Sequence, residues 1–155
     1  PWPSRSRPAL TSEASAQPPN DRKTSMSQFH HSTPLSAKQL QAAEPIAQYF
    51  QGHALDDAAC MRRAFLPSAH IESVREGEFT SWSLEVYCQR FKHQPAADEA
   101  ARQRTLDWIE VTGSAACARV TLVHGANTFT DYFVLLKTAE GWKIANKAFH
   151  GEATR

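Results

Sequence analysis

FTDYFVLLKTAEGWKIANKAFH, which runs from Phe129 to His150, carries the clearest structural pattern of this chain. Its two apolar runs are separated by a short polar segment around Gly141, which predicts two antiparallel strands joined by a tight turn. A turn of even length, either Glu140-Gly141 or Thr138 to Gly141, gives one and the same assignment of side chains to the two faces. A three-residue loop with a bulge would change that assignment, and the sequence leaves this alternative open.

The regular hairpin has one face that is clearly more apolar than the other. The more apolar face carries Phe129, Asp131, Phe133 and Leu135 opposite Trp142, Ile144, Asn146, Ala148 and His150. The second face carries Thr130, Tyr132, Val134 and Leu136 opposite Lys143, Ala145, Lys147 and Phe149. We expect the more apolar face to point into the protein, which would place Asp131, Asn146 and His150 among aromatic side chains.

Asp131 and His150 would have the chemistry of a general base in such a setting. Burial among aromatic rings favours the neutral form of a carboxyl group, and a neighbouring His could share its proton. A base of this kind can take a proton from an acidic carbon. The alternative is that these polar groups satisfy hydrogen bonds of the sheet, which we favour for Asn146 and leave open for Asp131 and His150.

The sequence before this hairpin predicts an α+β domain. Segments beginning at Ser36 and Asp56 have helical spacing, Ala69 to Trp82 alternates like a short hairpin, and Ser83 can cap a third helix. The sequence from Arg104 onward gives four strand-like runs with glycines between them. We predict three N-terminal helices packed on one face of a curved, mostly antiparallel sheet.

Composition sets the domain organisation and excludes several classes of protein. The chain has 155 residues, which is enough for one hydrophobic core. Its net charge of +1 gives no electrostatic field that would attract nucleic acid or an anionic membrane. Residues 1–33 are rich in Pro, Ser and Arg and predict a disordered tail, in which residues 1–25 would be an upstream extension before Met26. Residues 34–155 would form the single domain.

Location and cofactor chemistry follow from what the sequence lacks. It has no run long and apolar enough to span a bilayer and no signal-peptide pattern, so we expect a soluble cytoplasmic protein. Its three cysteines are widely spaced, which favours reduced packing residues. Because His53, His93 and His124 form no metal-ligand spacing, and no phosphate-binding or dinucleotide motif occurs, we predict neither a metal nor a cofactor.

In the order of its predicted helices and strands, and in the residues that they carry, the chain resembles the nuclear transport factor 2-like superfamily, and within it the "putative lumazine-binding" branch. The resemblance is carried by YFQGHALDDAACMRRAF (Tyr49 to Phe65), SAHIESVREGEFTSWS (Ser68 to Ser83) and above all the hairpin quoted first, and it covers residues 36–150. It implies a cone-shaped fold that encloses a pocket between helices and a curved sheet. Members of the branch usually have His-Pro after the second helix, where this chain has Leu66-Pro67, so a histidine role there is absent or shifted to His70.

The resemblance implies a small-molecule-binding protein, with a ligand like lumazine or another pterin. We expect an apolar pocket in which Asp131, His150 and His70 orient the ligand, with walls formed by Trp82, Trp108, Phe133 and Trp142, joined by Asn146. The alternative is a cofactor-independent isomerase, cyclase or dehydratase in which Asp131 or His150 abstracts a proton. The outer sheet face, which commonly forms a dimer interface in this superfamily, would carry Tyr132 and Lys147 toward a second subunit.

Overall fold

The computed structural model of the protein describes residues 34–153, all within one compact unit. The predicted tail over residues 1–33 lies outside this range. The helices are α1 (Ala37–Leu55), α2 (Ala58–Ala64) and α3 (Leu84–Cys88), and a 3-10 turn lies at Glu99–Ala101. The strands are β1 (His70–Arg75), β2 (Glu78–Ser83), β3 (Gln103–Thr112), β4 (Ala115–His124), β5 (Asn127–Thr138) and β6 (Gly141–Ala153).

The six strands form a single curved, open sheet in the order β2-β1-β6-β5-β4-β3. All neighbouring pairs are antiparallel except β1 and β6, which run parallel. The α+β class and the mostly antiparallel sheet are confirmed. The prediction of three N-terminal helices is wrong in one respect: α3 follows the β1–β2 hairpin, because Ser83 both ends β2 and accepts a hydrogen bond from the Val86 backbone to start α3.

Helix α1 supplies the apolar surface that covers the inner face of the sheet. Ser36 and Gln39 form a reciprocal capping box at its N-terminus. Ala42, Ile46 and Tyr49 are buried along one side of the helix, at the spacing that places side chains on a common face. Tyr49 therefore points from the helix toward the strands β5 and β6.

The turn of the β5–β6 hairpin has an even length, as predicted, but its two residues are Ala139 and Glu140, between the paired Thr138 and Gly141, rather than Glu140 and Gly141. Further along, however, Val134 pairs with Asn146 whereas Leu135 pairs with Ile144. Ala145 is thus an extra residue, a β-bulge in the strand rather than in the loop. Because side chains alternate between faces, this one extra residue reverses the facing of everything that follows it.

The bulge overturns the predicted facing of the second half of β6. Lys147 and Phe149 lie on the inner face, opposite Phe133 and Asp131, whereas Asn146, Ala148 and His150 lie on the outer face. Strand β5 keeps the predicted facing, with Asp131, Phe133 and Leu135 buried and Tyr132, Val134 and Leu136 exposed. In the interior the rings of Tyr49, Phe65 and Phe133 lie in mutual edge contact, among buried aliphatic side chains.

Candidate functional site

Three polar side chains from three different elements meet inside the protein. The Tyr49 hydroxyl of α1 donates to Asp131 Oδ2 of β5 at 2.6 Å, and the Lys147 ammonium of β6 lies 2.9 Å from the same oxygen. Lys147 Nζ also donates to the Tyr49 hydroxyl at 2.5 Å. We call Tyr49, Asp131 and Lys147 the buried triad. It is a closed arrangement in which each member contacts the other two.

Aromatic rings surround the ammonium group of the buried triad. The Lys147 ammonium is 4.8 Å from the ring centre of Tyr49, 4.9 Å from that of Phe149 and 5.7 Å from that of Tyr87. Aromatic faces attract a cation electrostatically, so these rings hold the ammonium in place together with the carboxylate. A charge taken this far out of water is tolerated only when it is paired and hydrogen-bonded.

One oxygen of the buried triad has no hydrogen-bond partner within residues 34–153. Asp131 is fully buried, its Oδ2 receives both Tyr49 and Lys147, and its Oδ1 receives neither. A buried carboxylate oxygen without a donor is costly, and such atoms in native proteins call for a specific explanation. Asp131 Oδ1 is therefore the atom through which the buried triad can accept a hydrogen bond from a ligand.

The phenols beside Asp131 are held in their neutral form. Burial, followed by the Asp131 carboxylate, raises the pKa of Tyr49 well above the ordinary value, and burial raises the pKa of Tyr87 as well. A neutral Tyr49 can donate to Asp131 and accept from Lys147 at the same time. The buried triad is thus a fixed array of donors and acceptors rather than a set of freely titrating groups.

The inner face continues from the buried triad toward a second polar group. Tyr87 Oη lies 3.1 Å from His53 Nε2, and the ring centres of His53 and His124 are 5.6 Å apart. We call His53, Phe91, His124 and Phe129 the histidine end of the inner face; all four side chains are half-buried. This end is therefore in contact with solvent, in contrast to the buried triad.

Both histidines of this end favour the neutral state. Burial, then the positive charge of Lys147, lowers the pKa of His53 well below its usual value. Burial, then the nearby Arg104 and Arg102, lowers the pKa of His124 to about 4. The two imidazoles are therefore uncharged hydrogen-bonding groups at neutral pH.

The residues that the sequence suggested for polar chemistry do not gather at one place. Asp131 is buried on the inner face as expected, but His150 is exposed on the outer face because of the bulge at Ala145. His70 is also exposed, and its ring nitrogen Nδ1 lies 3.1 Å from the Ser68 carbonyl oxygen. Asp131 and His150 are thus on opposite faces and form no acid–base pair.

Asn146 ties two strands together on the outer face. Its side-chain oxygen accepts a hydrogen bond from the His70 backbone at 3.0 Å, and its amide donates to Glu72 at 3.0 Å. These bonds join β6 to β1 next to the bulge. The structural alternative for Asn146, hydrogen bonding within the sheet, is the one that its contacts support.

The four aromatic residues predicted to line a pocket are also dispersed. Phe133 and Trp142 are buried in the core, and Trp82 is half-buried, with its ring centre 6.3 Å from that of Phe149. Trp108 lies on the outer face, where it borders a groove of about 200 Å³ with Tyr132 and Val134. Phe133 contacts Tyr49 of the buried triad, with ring centres 5.1 Å apart, and Trp82 contacts Phe149, whose ring lies beside the Lys147 ammonium.

Sequence reasoning missed Tyr49, Lys147, His53 and His124 as site residues. Tyr49 had a usable signal, since it shares a helix face with Ala42 and Ile46 and a buried tyrosine needs a hydrogen-bond partner. Lys147 had none, because the bulge that turns it inward leaves no mark in the hydrophobic pattern. The histidines sit at element ends that only the fold brings together.

Two further findings concern the described range as a whole. Between residues 34 and 153, no group of three or more His, Cys, Asp or Glu side chains is placed to hold a metal ion. No helix in the same range is long and apolar enough to cross a membrane.

Comparison with known proteins supplies the family. The model of the family described as "Putative lumazine-binding" matches residues 37–150, most of the chain and nearly all of the described part. The chain belongs to this family. No curated protein matches it.

Similarity to solved structures places this chain in the nuclear transport factor 2-like superfamily. It is similar to a nuclear transport factor 2-like protein of unknown function from Shewanella baltica OS155, with a TM-score of 0.67 and 24% identity over 77% of this chain and 98% of that one. A protein of the same description from Methylobacillus flagellatus KT has a TM-score of 0.65 and 25% identity over 77% and 96%. Another from Silicibacter pomeroyi DSS-3 has a TM-score of 0.65 and 18% identity over 73% and 94%.

Proposed function

We propose that this protein binds a small planar nitrogen heteroaromatic of the lumazine class at the inner face of its sheet. The observation that carries the proposal is the buried Asp131 Oδ1, which lacks a donor within the described residues. The family description points to the same class of ligand. We place the ligand between the buried triad and the histidine end, with entry from the half-buried histidine end.

The chemistry of lumazine suits the buried triad. Its pyrimidinedione ring alternates N–H groups and carbonyl oxygens along one edge. Asp131 Oδ1 would accept from a ring N–H, and the Lys147 ammonium, which has three N–H groups, would donate to the adjacent carbonyl. The flat ring system would pack against aromatic side chains of the inner face, namely Phe149 beside the Lys147 ammonium and Phe129 at the histidine end.

A binding role is favoured over the alternative of an isomerase, cyclase or dehydratase. In that alternative Asp131 or His150 abstracts a proton, and His150 lies exposed on the outer face, away from the inner face that carries Asp131. The remaining partners of Asp131 hold its Oδ2 in a closed network. Such an arrangement is suited to orienting a ligand by hydrogen bonds.

Titration of lumazine, followed by its own fluorescence, tests this function. The wild type should bind saturably, and Asp131→Asn should bind roughly 10- to 100-fold more weakly, since a hydrogen bond to a charged group is worth about 1.5–3 kcal/mol. The matched control is Asp107→Asn, because Asp107 is a strand carboxylate that bonds Thr121 and Arg119 away from the inner face. Lack of saturable binding to a folded wild type would reject the proposal.

A second measurement separates lost binding from lost folding. Asp131→Asn leaves Lys147 without its buried counter-charge, so each variant is first checked by circular dichroism. If Asp131→Asn unfolds, the double variant Asp131→Asn with Lys147→Met removes both charges and replaces it in the titration. Wild-type affinity in a folded variant that lacks the Asp131 carboxylate would contradict the proposal.

We also propose that the outer sheet face forms a homodimer interface in a cytoplasmic protein. Tyr132, Val134 and Leu136 are exposed by 50%, 52% and 40% on neighbouring positions of that face, and Trp108 by 38% beside them. A contiguous exposed apolar surface of this kind is typical of a contact with another protein. In a dimer with a two-fold axis, this apolar face of each copy would pack against the same face of the other copy.

A further inference from the structure

Arg104 is a buried cation next to the histidine end. It lies on β3 opposite Leu122 of β4, on the inner face, and only 9% of its side chain is exposed. Its Nη1 and Nη2 atoms donate to the two carboxylate oxygens of Glu99 at 2.6 and 2.9 Å. Its Nε has no partner within the part of the chain that the structure describes.

The geometry of the Glu99 pair determines what the unpaired Nε can do. A guanidinium has five N–H groups in a rigid plane, and Glu99 takes the end formed by the two terminal nitrogens. The remaining edge presents the Nε–H beside the second N–H of a terminal nitrogen. Two parallel donors of this kind match the two oxygens of a carboxylate or a phosphate.

His124 provides a second unpaired group at the same place. It follows Leu122 by two residues on β4, so it is the diagonal neighbour of Arg104 on the inner face. Its Nε2 is buried and, like Arg104 Nε, has no hydrogen-bond partner among residues 34–153. Its ring also contacts those of His53 and Phe129, with centre separations of 5.6 and 6.0 Å.

We propose that Arg104 and His124 form a subsite for an oxyanion, a carboxylate or phosphate group, of a small molecule. Arg104 would bind it through the Nε edge of its guanidinium, and His124 would donate from Nε2. The subsite extends the proposed function, because it adds an acidic substituent to the planar ring of the ligand. For the ring itself, the inference rests on the proposed function. The substituent would lie at the histidine end while the ring reaches the buried triad.

The surrounding charges are compatible with an anion at this position. The charged and titratable groups that act on His53 are Lys147, His124, Arg104 and Arg102, and those that act on His124 are Arg104, Arg102, Glu99 and Asp131. Arg102 is paired with Asp98 and Arg104 with Glu99, so neither pair has to open for the Nε edge to be used. Burial, then Arg104 and Arg102, lowers the pKa of His124, and a bound anion would raise it again.

Nuclear magnetic resonance of the histidine imidazoles tests the subsite without the planar ligand. The probes are inorganic phosphate and acetate, each titrated into the full chain at constant ionic strength, with the His124 signals identified by their loss in His124→Gln. We expect saturable shifts of the His124 signals with at least one probe, and a rise of its pKa in the bound state. The two probes together show which oxyanion the subsite prefers.

Variants decide whether the response belongs to the proposed subsite. Arg104→Gln should weaken the probe at least 10-fold, and Arg104→Lys should do the same, because it keeps the charge but loses the paired donors. The matched control is Arg119→Gln, since Arg119 is also a strand arginine, paired with Asp107 on the outer face. A His124 response that is absent, does not saturate, or is equal in folded Arg104→Gln would overturn the subsite.

The outcome is independent of the lumazine titration. Saturable probe binding with no lumazine binding would reject the proposed ring but support the oxyanion subsite. Lumazine binding with no probe response would support the proposed function and reject the subsite.

Discussion

The Lys147 ammonium lies 2.9 Å from Asp131 Oδ2, and the two side chains are only 5% and 1% exposed. An ion pair this deep gains little net stability from its own attraction, because both charges have lost their hydration. Its effect is instead to make each partner depend on the other. The buried triad therefore couples the integrity of the site to that of the core.

Removal of one partner of this ion pair should lower the free energy of unfolding far more than removal of both partners. We expect Lys147→Met to lower the free energy of unfolding by about 3–5 kcal/mol, because it leaves a buried carboxylate uncompensated. The double variant Lys147→Met with Asp131→Asn should recover a large part of that loss. Urea denaturation measures both, with the exposed Lys137→Met as control. A Lys147→Met variant as stable as the control would contradict the reported geometry.

Alkaline pH should unfold the protein through its buried phenols. The pKa values of Tyr49 and Tyr87 are raised above the ordinary 10.0 in the folded state. Above that pH the folded chain holds more protons than the unfolded chain, so stability is fully present below about pH 10 and is lost as pH rises, by up to about 1.4 kcal/mol per pH unit for each phenol.

Ultraviolet absorbance of ionised tyrosine follows this transition. The chain has 3 tyrosines, and we expect those at positions 49 and 87 to ionise only together with unfolding. Tyr49→Phe should make the alkaline loss of stability less steep. Complete ionisation of all the tyrosines in a protein that still has its native circular dichroism would refute this.

Mild acid should weaken the fold through the histidine end. The pKa of His124 is lowered from 6.5 to about 4, and that of His53 is also lowered. Between these pH values the unfolded chain binds protons that the folded chain does not, so the stability present above about pH 6.5 is lost as pH falls toward 4. The urea midpoint should thus be lower at about pH 5 than at about pH 7.

Substitution identifies the groups responsible for this acid response. His124→Gln and His53→Gln should each reduce the difference between the two midpoints. His150→Gln, at an exposed position of the outer face, is the control. A wild-type midpoint that is the same at both pH values would show that these imidazoles take up protons in the folded state.

A charge on the outer face should break the proposed dimer. We expect the wild type to be a dimer in size-exclusion chromatography with light scattering, and Val134→Asp to be a monomer, because the interface would have to bury an unpaired carboxylate. Val86→Asp on α3 is the matched control, since Val86 is 47% exposed and Val134 is 52% exposed. A monomeric wild type at micromolar concentration would rule out the interface.

Most of the fold could be predicted because it follows from local patterns. Strand alternation placed Asp131 and Phe133 on the inner face, and Ser83 marked the start of α3. The site could not be predicted to the same extent, since it depends on which residue of β6 lies on the inner face opposite Phe133, next to Asp131. One unpaired residue, Ala145, decides whether that residue is Lys147 or an asparagine. The free energy that selects the bulge includes the tertiary contacts of Lys147 with Tyr49 and Asp131, which no window of sequence contains.

The bulge at Ala145 also affects how relatives of this protein should be aligned. With the bulge, the inward residues Ile144 and Lys147 are three positions apart; in a regular strand the same two inward positions would be two apart. A relative that lacks one residue here can therefore keep the same lysine beside the same aspartate. Beyond Ala145, equivalent residues of two relatives are those whose side chains lie on the same face of the sheet. An alignment that forbids a gap at Ala145 would pair a core lysine with a surface residue.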